Sequence, residues 1–192
     1  GSIRLLMALS VQLRLDVYQL DFVTAYLNGD IDETIYMKVP VEIKSILNEN
    51  ELQKYEGKVC LLKKALYGLK QSGRQWYKKL DEKLKQLQLK PLNSDPCIYI
   101  LKQGEVIALL VIYVDDLIVA TNNKIIWKEI KQELAKSFEM KDLGQLNFCL
   151  GIEFKQDPNT KEITMSQRKY IKNILTKFNM ENCKPVLHLI QL

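Results

Sequence analysis

Two adjacent aspartates, Asp115 and Asp116, interrupt a stretch that otherwise has the composition of a sheet core, with apolar residues at 106–114 before them and at 117–120 after them. Two like charges at a hairpin tip gain little unless a positive partner lies against them. Mg²⁺ is usually held by one or two carboxylates together with substrate phosphates, so this pair is a candidate metal site. The alternative is an ordinary hairpin turn, because turns favour aspartate.

A third carboxylate, Asp21, ends an apolar, strand-like segment at residues 17–23. If this strand lies beside the Asp115 hairpin, the three acids converge on one end of a sheet. Two divalent ions about 3.5 to 4 Å apart could then activate a hydroxyl nucleophile and stabilise a leaving pyrophosphate. The three acids together therefore favour phosphoryl-transfer chemistry.

The periodicity of apolar residues predicts the elements that must position these acids. Alternation and turn signals predict strands at 17–23, 34–39, 58–62, 97–101, 106–114, 117–120, 148–154 and 162–165. Spacings of three and four predict helices at 3–15, from Ser72 to before Pro91, after Asn122 or Asn123, and from Ser166 onward. Such hairpin-linked strands with interspersed helices predict an α+β fold, with helices packed on one face of an antiparallel sheet.

Finer details of the helices also follow from the sequence. Ser72 and Gln75 have the spacing of a capping box. The predicted inward faces are Trp76, Leu80, Leu84 and Leu87; Trp127, Ile130, Leu134 and Phe138; and Tyr170, Ile171, Ile174, Leu175 and Phe178. Trp76, Leu80 and Trp127 are predicted to be core residues rather than platforms for nucleic acid.

Composition bounds the class of protein. The chain has 192 residues, 47% of them hydrophobic and 27% charged, which predicts one folded domain or part of one. Four cysteines without a CxxC pair, and a single histidine, His188, favour neither a zinc knuckle nor a disulfide framework and suggest reduced, buried thiols inside a cell. No signal peptide is visible, and the longest apolar run has nine residues where a membrane span needs about 20.

Positive charge is concentrated in one segment. Residues 54–90 hold 11 Lys or Arg and 3 Asp or Glu, a local charge of +8 within a net +5. This asymmetry indicates a polyanionic partner, although a solvated helix face would have the same pattern.

Several motifs follow one another in the order found in copia-type retrotransposon reverse transcriptases, and the chain resembles that family over most of residues 3–185. The motifs occupy residues 21–30, 66–76, 113–116, 141–144 and 150–153. The resemblance implies an RNA-directed DNA polymerase with two Mg²⁺ or Mn²⁺ ions. It implies a polymerase palm at 1–165, lacking the N-terminal part of the fingers, and a truncated start of the thumb or connection at 166–192.

The resemblance also implies roles for individual residues. Asp21, Asp115 and Asp116 match the catalytic, metal-binding triad, and Tyr26 matches the gate that rejects a ribose 2′-hydroxyl. The alternative for Tyr26 is a core tyrosine at a strand end. The positions matching the nucleotide site are Tyr26, Ala25, Gly68 and Gln71, and those matching nucleic-acid contacts are Lys70, Ser72, Arg74, Leu150 and Gly151.

Some of these assignments have plain alternatives. Lys70 and Arg74 could be merely solvated, and Leu150-Gly151, which matches the primer-grip hairpin, could be part of an ordinary strand. Lys141 is a candidate general acid for the pyrophosphate. Gly73 stands where the family usually has proline, which predicts a looser turn before the helix.

The resemblance further implies partners and a place of action. These are an RNA or DNA template-primer, deoxynucleoside triphosphates and other Pol segments (fingers, thumb and ribonuclease H), without a membrane. The expected location is the cytoplasm, in a retrotransposon particle, with access to the nucleus. We expect a fragment of a polyprotein with little polymerase activity alone. The alternatives are an inactive remnant or domesticated module that binds nucleic acid, and an interaction domain with neither metal nor nucleic acid.

Overall fold

The computed structural model describes residues 1–184, which contain five α-helices and eleven β-strands. The helices are α1 (Ser2–Gln12), α2 (Glu49–Gln53), α3 (Ser72–Gln86), α4 (Lys124–Ala135) and α5 (Arg168–Lys177), with single 3-10 turns at Ala25–Asn28 and Val41–Ser45. The strands are β1 (Asp16–Phe22), β2 (Tyr36–Lys38), β3 (Val59–Leu61), β4 (Lys90–Pro91), β5 (Ile98–Gln103), β6 (Val106–Tyr113), β7 (Asp116–Thr121), β8 (Met140–Gln145), β9 (Phe148–Cys149), β10 (Ile152–Gln156) and β11 (Ile163–Ser166).

A six-stranded antiparallel sheet in the order β4-β5-β6-β7-β1-β8 is the centre of the fold. Three strands, β9 to β11, make a second sheet, and β2 pairs with β3 in a separate ribbon. The predicted α+β class and antiparallel sheet are confirmed. Strand β1 joins the β5–β6–β7 meander through β7, a pairing between segments far apart in sequence.

Two hydrophobic clusters cover the two faces of the large sheet. On one face α3 and α4 bury Trp76, Leu80, Leu84, Trp127 and Ile130 against alternate residues of β1, β6 and β7. On the other face, Leu6 and Met7 of α1, together with Phe154 of the second sheet, cover the remaining alternate residues. The two long helices therefore lie on one face as predicted, and the shorter α1 lies on the opposite face.

The ends of two helices test the predicted caps. Asn123 caps α4 as expected, since its Oδ1 accepts hydrogen bonds from the backbone N–H groups of Ile125 and Ile126. The capping box at Ser72 is wrong. Gln71 occupies the N-cap position, and the Ser72 hydroxyl instead donates to the Leu66 carbonyl, so it ties the preceding loop to the helix.

Three other predictions need correction or addition. The segment 148–154 is a hairpin rather than one strand, because Leu150 and Gly151 both have positive φ and reverse the chain. Strand β8 was not predicted, because almost all of its residues are exposed and its polar and apolar side chains do not alternate. The apolar side chains of α5 are not buried: Tyr170, Ile171, Ile174 and Phe178 are exposed and Leu175 is only partly covered.

Two further predictions concern thiols and membranes. All four cysteines are free thiols, but the predicted burial is right only for Cys149, since Cys60 and Cys97 are partly covered and Cys183 is exposed. Among residues 1–184 there is no helix with the length and apolar character required to cross a membrane. His188 lies outside the described residues.

Candidate active site

The sheet brings the three predicted acids to one edge. Asp21 of β1 is the direct cross-strand partner of Asp116 of β7, and the backbone N–H of Phe22 donates to the Asp115 carbonyl at 2.8 Å. Residues directly opposite one another have Cβ atoms about 4.5–5.5 Å apart and side chains on the same face. The predicted adjacency of strand 17–23 and the Asp115 hairpin is therefore confirmed.

The turn that carries Asp115 has an unusual backbone. Val114, the first of the two turn residues between β6 and β7, has φ +53°, a conformation that a β-branched residue rarely adopts. The buried indole of Trp76 donates from Nε1 to the Val114 carbonyl at 2.8 Å. Because strained turns persist only when their surroundings impose them, this contact from α3 stabilises the position of Asp115.

Each of the two adjacent aspartates receives a hydrogen bond from another segment. The Tyr67 hydroxyl donates to Asp115 Oδ1 at 2.6 Å. Gln19, almost fully buried two residues before Asp21, donates from Nε2 to Asp116 Oδ1 at 2.7 Å. The carboxylate positions therefore depend on donors from strand β1 and from the loop before α3.

Burial and neighbouring charges raise the pKa values of several side chains at this edge of the sheet. Burial raises the pKa of Asp116, the Gln19 hydrogen bond opposes this, and the negative charges of Asp21 and Asp115 raise it further. The Cys149 thiol also lies against Asp116, and burial with that contact raises the pKa of Cys149 to about 12. Burial and the hydrogen bond to Asp115 raise the pKa of Tyr67 to about 12. A divalent cation would offset the repulsion among the three carboxylates.

The donor chemistry fits an ion that prefers oxygen, because all three acids are carboxylates and Asp115 Oδ2 accepts no hydrogen bond from the described residues. Their side chains are not gathered in advance, however. Within residues 1–184, no three His, Cys, Asp or Glu side chains are arranged as a ready metal site. Binding would therefore require the carboxylates to rotate towards a shared ion.

The residues predicted to hold a nucleotide lie close to this edge. Tyr26 is half-buried, and its ring centroid is 4.3 Å from that of Tyr67. Ala25 is fully buried in the core. Gly29, at the end of the same 3-10 turn, lies so close to α3 that a Cβ there would be 3.0 Å from the Trp76 backbone nitrogen. This close approach positions the Tyr26 turn on the helix.

The loop before α3 contains the other predicted nucleotide and template residues. Gly68 has φ +93°, a conformation that favours glycine. Gln71 donates to Glu33 at 2.9 Å. Ser72 is fully buried and its hydroxyl donates to the Leu66 carbonyl, so its side chain links the loop to the helix. Its contact with nucleic acid stays a prediction.

Part of the basic segment is neutralised. Lys64 and Lys79 both pair with Asp30, and Lys83 pairs with Glu133. Lys70 and Arg74 are exposed and form no ion pair with residues 1–184. These two cations therefore remain available to a polyanion.

Two predicted residues or groups lie on other elements. Lys141 of β8 is exposed and is the cross-strand partner of Asp21, on the opposite side from Asp116. Leu150 and Gly151 form the exposed tip of the β9–β10 hairpin, with φ of +50° and +77°. The hairpin geometry at this position agrees with the resemblance, and its contact with a primer stays a prediction.

Three residues of the site were missed. Gln19 shares a sheet face with Asp21, and the alternation of strand side chains could have identified it. Tyr67 lies within the 66–76 motif but received no role. No sequence pattern could have identified Cys149, because it contacts Asp116 only through the packing of the small sheet on the large one.

Comparison with known proteins agrees with these observations. The family described as "Reverse transcriptase (RNA-dependent DNA polymerase)" matches residues 1–191. The Retrovirus-related Pol polyprotein from transposon TNT 1-94 of Nicotiana tabacum is 40% identical over 186 residues, covering 96% of this chain and 14% of that protein. The corresponding polyprotein from transposon RE1 of Arabidopsis thaliana is 34% identical over 185 residues, covering 96% and 12%.

Among solved structures, the apo telomerase from Candida tropicalis truncated from its C-terminal domain has a TM-score of 0.45 and 13% identity, with 86% of this chain and 40% of that one covered. That likeness is too weak to add to the assignment. This chain spans 12 to 14% of the length of the two plant relatives. From the family match and these relatives, the chain belongs to the reverse transcriptase family of copia-type retrotransposon Pol polyproteins.

Proposed function

We propose that the chain is the palm of an RNA-directed DNA polymerase that extends a primer on an RNA or DNA template. The observation that supports this most strongly is the register of β1 with β7, which puts Asp21 opposite Asp116 and beside Asp115. Three acids at one end of a sheet, near the exposed cations that form no ion pair with residues 1–184, suit transfer of a nucleotide.

The reaction joins the primer 3′-hydroxyl oxygen to the α-phosphorus of a deoxynucleoside triphosphate. The bond between that phosphorus and the oxygen bridging to the β-phosphate breaks, and pyrophosphate leaves. Asp21, Asp115 and Asp116 would hold two Mg²⁺ or Mn²⁺ ions, which would lower the pKa of the hydroxyl and offset charge on the phosphate oxygens. The aspartates provide the negative oxygen ligands, and the braced Val114 turn keeps Asp115 at the reacting end.

Other residues would select and hold the substrates. Tyr26 lies beside the aspartates through Tyr67, where its ring would exclude a ribose 2′-hydroxyl. Exposed Lys70 and Arg74 would contact phosphates of the template, and the Leu150-Gly151 tip would contact the primer. Lys141, the cross-strand partner of Asp21, would give a proton to the leaving pyrophosphate.

The same proposal covers domains, partners and place of action. Residues 1–165 would form the palm, and 166–192 would begin a thumb or connection that packs on other Pol segments, including fingers and ribonuclease H. The exposed apolar residues of α5 support such packing. The place of action would be a cytoplasmic retrotransposon particle with access to the nucleus.

Primer extension on a primed RNA template tests this function. The assay would use the chain alone and the chain substituted for the matching 186-residue segment of the tobacco relative. We expect Mg²⁺-dependent extension by the substituted relative and a loss of about a thousandfold in its Asp115→Asn variant, because a charged oxygen ligand of the ions would be lost. Extension that survives Asp115→Asn would contradict the assigned role.

A further inference from the structure

Tyr67 links two parts of the candidate site. Its hydroxyl donates to Asp115 Oδ1 at 2.6 Å, across 48 positions of sequence. An ionised carboxylate has two oxygens and about four lone-pair directions. Asp115 Oδ2 accepts no hydrogen bond from the residues that the structure describes, so Tyr67 constrains one oxygen and leaves the other open.

The ring of Tyr67 makes the second contact. It lies against the ring of Tyr26, with centroids 4.3 Å apart and planes 30° from parallel. Gly68, the next residue, has φ +93° and so directs the chain sharply away after the tyrosine. The two contacts hold the Tyr67 side chain between the carboxylate and the sugar gate.

We propose that Tyr67 is a positioning residue that orients Asp115 for a divalent ion and supports the ring of Tyr26. This inference rests on the proposed function, and it adds a residue to which no role had been given. Hydrogen bonds to a metal-ligating carboxylate fix its orientation, and removing such partners typically weakens metal binding about 10- to 100-fold. The hydroxyl therefore contributes to metal affinity without contacting the ion.

A competing arrangement makes the opposite prediction. If the ion needed Oδ1, Tyr67 would have to leave that oxygen, and removing its hydroxyl would strengthen metal binding. Because Asp115 Oδ2 is open to an ion, the structure favours a Tyr67 that orients the carboxylate over a Tyr67 that competes with the ion for Oδ1. The sign of the change in affinity therefore decides between them.

The experiment is a titration of the 192-residue chain with Mn²⁺ alone, followed by water-proton relaxation. Tyr67→Phe removes the hydroxyl and keeps the ring on Tyr26. We expect about tenfold weaker Mn²⁺ binding. Since Tyr67 is 51% exposed, the thermal unfolding midpoint should change little. Tyr36→Phe is the matched control, because Tyr36 is also exposed and its hydroxyl binds no described residue.

A double-mutant cycle with Asp115→Asn shows whether Tyr67 acts through that carboxylate. We expect Asp115→Asn to weaken Mn²⁺ binding, and Tyr67→Phe to have no further effect in that background. An equal loss in both backgrounds, unchanged affinity or tighter binding in Tyr67→Phe would overturn the role of Tyr67 alone. Absent Mn²⁺ binding, or no effect of Asp115→Asn, would overturn the proposed metal site and this inference with it.

Discussion

The turn that carries Asp115 is braced from three segments, whereas helix α5 leaves its apolar residues against solvent. The Trp76 indole N–H donates a hydrogen bond to the Val114 carbonyl, and the Phe22 backbone N–H donates one to the Asp115 carbonyl. The Tyr67 hydroxyl donates to the Asp115 carboxylate. On α5, Ile171 is 54% and Phe178 64% exposed. The difference indicates that this chain determines the geometry of its acids through its own core, while α5 has an apolar face that residues 1–184 leave largely uncovered.

The largest expected effect comes from removing the Trp76 side chain, which hydrogen-bonds to the Val114 carbonyl in the turn. Trp76→Ala would delete a buried ring that packs edge-to-face on Phe22 and Phe138 and would leave the Val114 carbonyl unpaired. We expect a loss of about 3–5 kcal/mol in the free energy of unfolding, measured with urea. A loss below about 1 kcal/mol would show that the turn does not depend on α3.

The next prediction concerns how much the negative charge of Asp116 lowers the free energy of unfolding. Because the pKa of Asp116 is raised in the folded chain, ionisation of its carboxyl group destabilises the fold. This destabilisation is complete at pH values above the raised pKa and absent at pH values below the ordinary pKa of 3.8. Asp116→Asn should therefore raise stability at pH 7, by no more than about 1 kcal/mol, because solvent screens this partly exposed carboxylate.

The pH dependence provides the control for that variant. The advantage of Asp116→Asn should shrink as the pH falls through the raised pKa of Asp116 towards 3.8, because the parent carboxyl becomes neutral as well. Urea unfolding at a series of pH values measures it. An advantage that grows at low pH would contradict burial of the charge.

A smaller effect concerns the backbone of the turn. Val114→Gly would relieve the positive φ of a β-branched residue, at the cost of greater freedom in the unfolded chain. We expect a net gain of about 0.5–1 kcal/mol in unfolding free energy by thermal denaturation. Val106→Gly, at the start of strand β6, should be destabilising instead.

The smallest effect is expected on α5. Ile171→Ser changes a side chain that is 54% exposed, so the unfolding free energy should change by no more than about 0.5 kcal/mol. The matched substitution in α4 is Ile130→Ser, which places a hydroxyl in the core and should cost several times more. Equal effects in circular-dichroism melts would show that α5 packs like α4.

Local patterns predicted most of the fold because hydrophobic periodicity reports which side of an element is apolar. It correctly predicted strands β5 to β7 and the buried faces of α3 and α4. The same signal misplaced the α5 residues, since amphipathicity does not say what partner covers the face. Strand β8 was missed because its exposed side chains do not alternate in polarity.

The candidate site was predicted only in part, for a related reason. The types of Asp21, Asp115 and Asp116 indicated metal chemistry, but their meeting depended on a strand pairing that local sequence does not encode. Gln19 reaches Asp116 across 97 positions and Tyr67 reaches Asp115 across 48. Such contacts arise only after the sheet and the loop before α3 have packed.

Cleavage with Fe²⁺ in place of Mg²⁺ shows whether Asp21, Asp115 and Asp116 share a divalent-ion site at one sheet edge. With ascorbate and peroxide, Fe²⁺ bound at that edge generates hydroxyl radicals that cut nearby backbone. We expect cuts close to Asp21 and to the Val114–Asp116 turn, both suppressed by excess Mg²⁺ and absent in Asp115→Asn. Cuts at only one of these segments, or cuts that persist in that variant, would contradict the shared site.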